Sequence, residues 1–139
     1  MGSWFSKAWK PSTDIPDLSG KVVIVTGAKF VVNVNVRDRL ITGTDSSGIG
    51  YTTTEQLARH GAKVYVAARS EAKAHAAIEK IYANNKSVEK GKLIFLPLDL
   101  ADLDSVVKAA EIFLKQETKL DILGEPDTQG LEYCWLKEV

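Results

Sequence analysis

Short apolar, β-branched runs alternate in this chain with segments of helical periodicity, and that alternation restricts the fold more than any other feature. Lys21–Val25 is the first run, flanked by Gly20 and Gly27. Residues 50–60 follow a helical pattern, with Ile49, Thr53, Gln56, Leu57 and His60 near helical spacing and Gly61 as the C-terminal stop. Residues 62–68 read as a second strand, and Glu71 to about Asn84 as a helix with Ala74, Ala77, Ile78 and Ile81 on one face. Lys92–Leu98 is the third strand. A helix from Asp102 or Leu103 to Glu117 follows, whose Val106, Val107, Ala110, Ile112 and Phe113 give a broad apolar side. Lys119–Leu123 opens a fourth strand. Strands separated by helices imply βαβ units and a parallel sheet. Right-handed crossovers then predict strand order 3-2-1-4, with a ligand crevice at the carboxyl ends near the switch between strands 1 and 4.

Two glycine segments fall at that place. Thr26-Gly27-Ala28 follows the first strand, and Ser47-Gly48-Ile49-Gly50 opens the first helix. Glycines between a strand and a helix let the backbone approach a pyrophosphate, whose charge is favoured at the helix N-terminus. Rejoined, the pieces read T-G-A-x-S-G-I-G. Between them stands a β-branched stretch, V-V-N-V-N-V-R-D-R-L-I-T-G-T, beginning after Phe30.

The rejoined motif resembles T-G-x-x-x-G-x-G of the short-chain dehydrogenase/reductase family, and the resemblance runs from about Asp17 to Leu123 apart from the interruption. Residues 28–47 occupy a gap in which the family places three, so about 30–46 are surplus. A small retained intron explains the surplus: replacing Lys29–Ser46 by one Asn restores T-G-A-N-S-G-I-G. An evolved insertion is the alternative. The resemblance implies a Rossmann-type doubly wound α/β domain, truncated after about the fourth strand. It divides the chain into a leader and linker (1–16), a nucleotide-binding half-domain (17–123) and a non-family tail (124–139). It also implies a nicotinamide dinucleotide held by Gly27, Ser47, Gly48, Ile49 and Gly50. The entry Leu18-Ser19-Gly20-Lys21 and the leader are similar to retinol-dehydrogenase-type members, which suggests a small lipophilic alcohol or carbonyl as substrate of the complete form.

Arg69 follows the second strand, where the adenosine ribose is expected. No acid precedes Glu71 there, and an Arg offers charge and a planar fork to a 2′-phosphate, so NADP(H) is expected over NAD(H). The alternative is an exposed Arg capping the next helix. Asp99, in Leu98-Asp99-Leu100, matches the family's acid that reads the adenine amino group; alternatively Asp99 or Asp102 caps the following helix. Catalysis in the family uses a Tyr with a Lys four residues later, a Ser on an earlier strand and an Asn. Two Y-x-x-x-K matches occur, Tyr82–Lys86 and Tyr133–Lys137. The first lies between strands 2 and 3, and the second follows strand 4 too closely, so both read as coincidental and no catalytic residue is assigned. Two functions of different classes remain: the N-terminal portion of an NADP(H)-dependent oxidoreductase, or a cofactor-binding or interaction fragment without turnover.

Composition removes several other classes. The 18 basic and 18 acidic residues cancel, which argues against nucleic acid as a partner. Cys134 is the only cysteine, so no intrachain disulfide and no cysteine metal cluster can form, and His60 and His75 sit on separate helices; no metal site is expected. No apolar run reaches the roughly 18 residues of a membrane span. The start Met1-Gly2-Ser3-Trp4-Phe5-Ser6 fits a loose myristoylation pattern, and Trp4, Phe5 and Trp9 beside Lys7 and Lys10 suit a membrane surface. The expected location is cytoplasmic, with weak peripheral membrane contact through the leader as a further expectation.

Overall fold

The computed structural model describes residues 10–26 and 49–124. The leader, the interrupted glycine segment and the tail after Gly124 lie outside the described residues. Within them the chain runs α1 (Pro11–Asp14), β1 (Val22–Val25), α2 (Ile49–Arg59), β2 (Lys63–Ala68), α3 (Glu71–Asn84), β3 (Leu93–Pro97), α4 (Leu103–Gln116) and β4 (Ile122–Gly124). α1 is a single turn inside the stretch read as a linker. Pro11 supplies the φ of a first helical position, and the Asp14 carboxylate reaches back to accept the Lys10 N–H at 2.7 Å.

The four strands form one sheet in the order β3-β2-β1-β4, every pair parallel. This is the doubly wound α/β topology that the alternation predicts. β1 sits centrally, with Val23 opposite Val64 on one side and Ile122 on the other. β4 starts at Ile122, later than expected, because Asp121 is used as an anchor. Its N–H donates to the Val22 carbonyl at 2.9 Å, and its carboxylate accepts the Val22 N–H at 2.9 Å.

Strand alternation sorts the core into two layers. Val23, Val25, Val64, Val66 and Leu93 meet α2 and α3 on one face. Val22, Tyr65, Ala67 and Leu96 meet α4 on the other. α3 buries Ala74, Ala77, Ile78 and Ile81, the face its spacing predicts. Tyr65 and Phe113 meet edge to face with centroids 5.0 Å apart, a geometry worth roughly 0.5–1.5 kcal/mol beyond burial.

Two helix faces differ from expectation. α2 turns Tyr51, Thr54 and Ala58 inward, while Thr53, Gln56 and His60 are half-exposed. Small side chains at Thr54 and Ala58 let this helix approach β1 and β2 closely. α4 buries Ala109 and Phe113, with Val106 and Ile112 half-buried, and leaves Val107 and Ala110 exposed. Its sequence is apolar over so much of its circumference that periodicity alone does not choose the buried side.

α2 ends in a Schellman motif. The Gly61 N–H donates to Ala58 O at 3.1 Å and the Ala62 N–H to Leu57 O at 3.2 Å, and Gly61 takes the left-handed φ of +90° that this ending requires. α4 begins with Asp102 as N-cap, its side chain accepting the Asp104 N–H at 3.0 Å. No helix among the described residues is long and apolar enough to cross a membrane.

Candidate functional site

Because all strands run parallel, their carboxyl ends share one edge. α2 and α3 cover one face and α4 the other, so the strand order reverses at β1, the position at which such sheets bind ligands. Thr26, immediately after β1, is only 4% exposed. Its N–H donates to Gly124 O at 2.8 Å, and its hydroxyl lies 3.4 Å from the same oxygen. The carboxyl ends of β1 and β4 are therefore held as a closed pair. α2 starts beside it at Ile49, with Gly50 buried in the first turn. Of the glycine set, Gly50 and the backbone of Ile49 are placed at this edge, while Gly27, Ser47 and Gly48 lie outside the described residues. Thr26 was read only as part of the motif; its position before Gly27 was the signal for its role in closing the strand pair.

Arg69 follows Ala68, the last residue of β2, which pairs with Pro97 of β3. Its side chain is exposed and makes no ion pair among the described residues. The nearest following acid, Glu71, lies 3.5 Å from His75 one helical turn on. A cation without a counter-ion among the described residues thus stands at the end of the second strand. The capping alternative has a partial answer: Ser70 occupies the N-cap of α3, and no side chain there bonds the cap.

Asp99 stands at the end of β3, where Leu98 extends the ladder by donating to Ala68 O at 3.1 Å. One carboxylate oxygen accepts the Ala101 N–H at 3.0 Å, and the Asp99 N–H donates to Ser105 Oγ at 2.9 Å. The other carboxylate oxygen has no hydrogen bond among the described residues, and capping of α4 falls to Asp102. The turn therefore fixes Asp99 in place while leaving an acceptor available. Gly50, Arg69 and Asp99 thus lie along the same sheet edge.

The opposite, amino edge carries features that resemble a site but have structural partners. The Tyr82 hydroxyl accepts the N–H groups of Gly91 and Leu93 at 3.1 and 3.0 Å, holding the α3–β3 turn. Tyr133 and Lys137 lie outside the described residues. Burial pushes the Tyr65 phenol up from its ordinary range, helped by its hydrogen bond to Glu117 at 2.8 Å. Glu117 itself is held down chiefly by Lys63. A shallow cavity lined by Ser19, Arg59, Gly61 and Lys92 also opens at this edge, away from the switch point. No group of three metal-ligating side chains occurs among the described residues. His60 Nδ1 lies 2.7 Å from Gln56 O, and the His75 ring is tilted over Phe95.

Known proteins resemble this chain in sequence and in fold. Residues 39–125, more than half the chain, match the short chain dehydrogenase family; the match begins inside the interruption and leaves β1 outside it. A short chain dehydrogenase/reductase of Colletotrichum higginsianum is 43% identical over 112 residues, covering 81% of this chain and 24% of that protein. One from Armillaria gallica is 48% identical over 110 residues, covering 79% and 29%. The chain thus spans about a quarter of the length of the curated relatives it matches. Among solved structures, an uncharacterized protein of Mycobacterium paratuberculosis superposes with a TM-score of 0.57 at 29% identity, covering 83% of this chain and 32% of that one. The N-domain of a bacterial malonyl-CoA reductase, solved with NADP, shares the fold with a TM-score of 0.59 at 23% identity, covering 78% and 17%. With the strand order and these matches together, the chain belongs to the short chain dehydrogenase family.

Proposed function

We propose that this chain is the NADP(H)-binding N-terminal portion of a short-chain dehydrogenase/reductase whose complete form transfers hydride between NADP(H) and an alcohol or carbonyl. The observation that carries the reading is the placement of Gly50, Arg69 and Asp99 along the carboxyl edge of one parallel sheet. In this reading Gly27, Ser47, Gly48, Ile49 and Gly50 receive the pyrophosphate at the amino end of α2. Arg69 pairs with the 2′-phosphate, and Asp99 accepts the adenine amino group through its available carboxylate oxygen. The cofactor supplies the hydride; these residues bind and orient it. A retinol-dehydrogenase-like preference for lipophilic substrates, the surplus at 30–46 and the division at 17–123 belong to the same proposal.

A second reading is a cofactor-binding module without turnover. It is supported by Tyr82, whose hydroxyl is engaged at the amino edge, far along the sheet from the switch point.

Calorimetric titration of the full chain with NADPH and NADH tests the cofactor assignment. NADPH should bind more tightly, and Arg69→Ala should remove the difference, since a charge-assisted pair contributes roughly 1.5–3 kcal/mol. Equal affinities in the parent chain would leave Arg69 a surface residue. No turnover with NADPH and an aldehyde panel is expected of this chain in either reading; turnover abolished by Tyr133→Phe and not by Tyr82→Phe would overturn the assignment of no catalytic residue.

A further inference from the structure

Ser105 is half-buried in the first turn of α4, and its Oγ accepts the Asp99 N–H at 2.9 Å. That donor has no place in the sheet. The preceding N–H, of Leu98, meets Ala68 O of β2 at 3.1 Å, so in an extended chain the next one points away from β2. β3 is the outer strand, and among the described residues Ser105 is the acceptor that the Asp99 N–H finds. Capping of α4 does not require Ser105, since Asp102 fills that position and accepts the Asp104 N–H with its side chain.

Two further hydrogen bonds hold Asp99, both inside the turn between β3 and α4. Its carboxylate accepts the Ala101 N–H at 3.0 Å, and its carbonyl accepts the Asp102 N–H at 3.2 Å. The Ser105 bond reaches past the turn into α4, a helix that Ala109 and Phe113 fix against the sheet. It ties the strand end to the helix, and so sets the direction in which the second carboxylate oxygen of Asp99 is offered. Hydrogen bonds weaken steeply as they bend, so a carboxylate that turns with a loosened main chain loses its partner. Gly50 and Arg69 stand on other elements, α2 and the end of β2, and would not turn with it.

We propose that Ser105 is a positioning residue for base recognition: its hold on the Asp99 main chain aims the available carboxylate oxygen at the 6-amino group of adenine. This rests on the proposed part of Asp99 in reading the base, and adds a residue that acts through Asp99 rather than on the nucleotide. Loss of the Ser105 hydroxyl should therefore cost the choice of purine while leaving the choice between a 2′-phosphate and a 2′-hydroxyl with Arg69.

Calorimetric titration of the full chain with NADPH, with NADH and with the NADPH analogue that carries hypoxanthine in place of adenine is the test. Its 6-oxo group cannot donate to a carboxylate, so the parent should prefer NADPH over the analogue by at least about tenfold. Ser105→Ala should lose most of that preference and keep the parent's ratio between NADPH and NADH. Ser105→Thr, which retains the acceptor, should behave as the parent, and Ser105→Val, of the same shape without it, as Ser105→Ala. The Thr and Val pair decides the question if Ser105→Ala fails to fold by circular dichroism. A parent that prefers adenine, with Ser105→Ala or Ser105→Val preferring it equally, overturns the proposal and leaves the Asp99 assignment standing. Equal weakening of all three nucleotides in those variants overturns it as well, since general damage to the fold would act on them alike. A parent that binds NADPH and the analogue equally overturns the Asp99 assignment itself, and a parent that binds no nucleotide overturns the cofactor reading; the proposal falls with either.

Discussion

The carboxylate of Asp121 accepts the main-chain N–H of Val22 at 2.9 Å, so a side chain just before β4 takes the place of a backbone partner at the start of β1. Lys21 and Lys119 lie 3.1 and 3.3 Å from its two oxygens. The Val22 N–H is the chief cause holding this carboxyl down from its ordinary 3.8 to about 2, and the two lysines add to it.

A carboxylate with a depressed folded value stabilises the native state at pH above its unfolded value, and that contribution disappears as pH falls through the folded one. The window here runs from about pH 4 down to about 2. Urea unfolding of Asp121→Asn should show lower stability at pH 7 and a flatter loss across that window than the parent. Parallel curves for the two proteins would mean that Asp121 titrates alike in both states.

Gly61→Ala should destabilise the fold by about 1–2 kcal/mol, the cost of a side chain in the left-handed region. The substitution meets a steric limit too, because a Cβ there would fall 2.6 Å from Ser19 Oγ and 3.3 Å from the Ser19 backbone. Thermal unfolding reads the effect as a drop of several degrees. Unchanged stability would show that the α2–β2 turn relaxes freely.

Tyr82→Phe should lose roughly 1–2 kcal/mol of stability, because the N–H groups of Gly91 and Leu93 share its hydroxyl as acceptor. Nucleotide affinity should be unchanged. Weaker NADPH binding by a variant of normal stability would give Tyr82 a part in the site that its position at the amino edge does not suggest.

Deleting Phe30 through Ser46 together with Lys29→Asn should tighten NADPH binding by at least about tenfold. The change restores the short step between Gly27 and Gly48 that a single anion-binding nest requires. Longer loops add closure entropy only slowly, so stability should change by no more than about 1–2 kcal/mol. Calorimetry on the folded deletion variant decides; unaltered affinity would show that the surplus leaves the nest intact.

The strand order was legible because each strand is bounded by residues with one reading: Gly20 before β1, Gly61 before β2, Pro97 at the end of β3. The positions of Arg69 and Asp99 were legible for the same reason, since a residue just past a parallel strand must lie on the carboxyl edge. Helix faces were harder. Thr53 and Thr54 are identical neighbours, so the sequence does not say which points inward on α2, and close packing against β1 and β2 selects Thr54. On α4, Val106 and Val107 pose the same problem; the sheet takes Ala109 and Phe113, and Val107 falls outside. Asp121 was passed over because an acid beside a strand ordinarily reads as a solvated turn, and its use depends on Val22, a partner 99 positions away.

That separation has a kinetic meaning. β1, β2 and β3 can assemble through crossovers that bring successive strands together, whereas β4 reaches β1 only after closure of a loop of nearly the whole described chain. Long-range pairings are slow to form, because the entropy of closure is lost before the contacts are gained. The β1–β4 ladder spans only three residue pairs, ending at Gly124. It should therefore be the last part of the sheet to zip and the first to open. The amides of β4 should exchange with solvent deuterium well before those of β2, which places the least durable seam of the sheet at the edge where the nucleotide is proposed to bind.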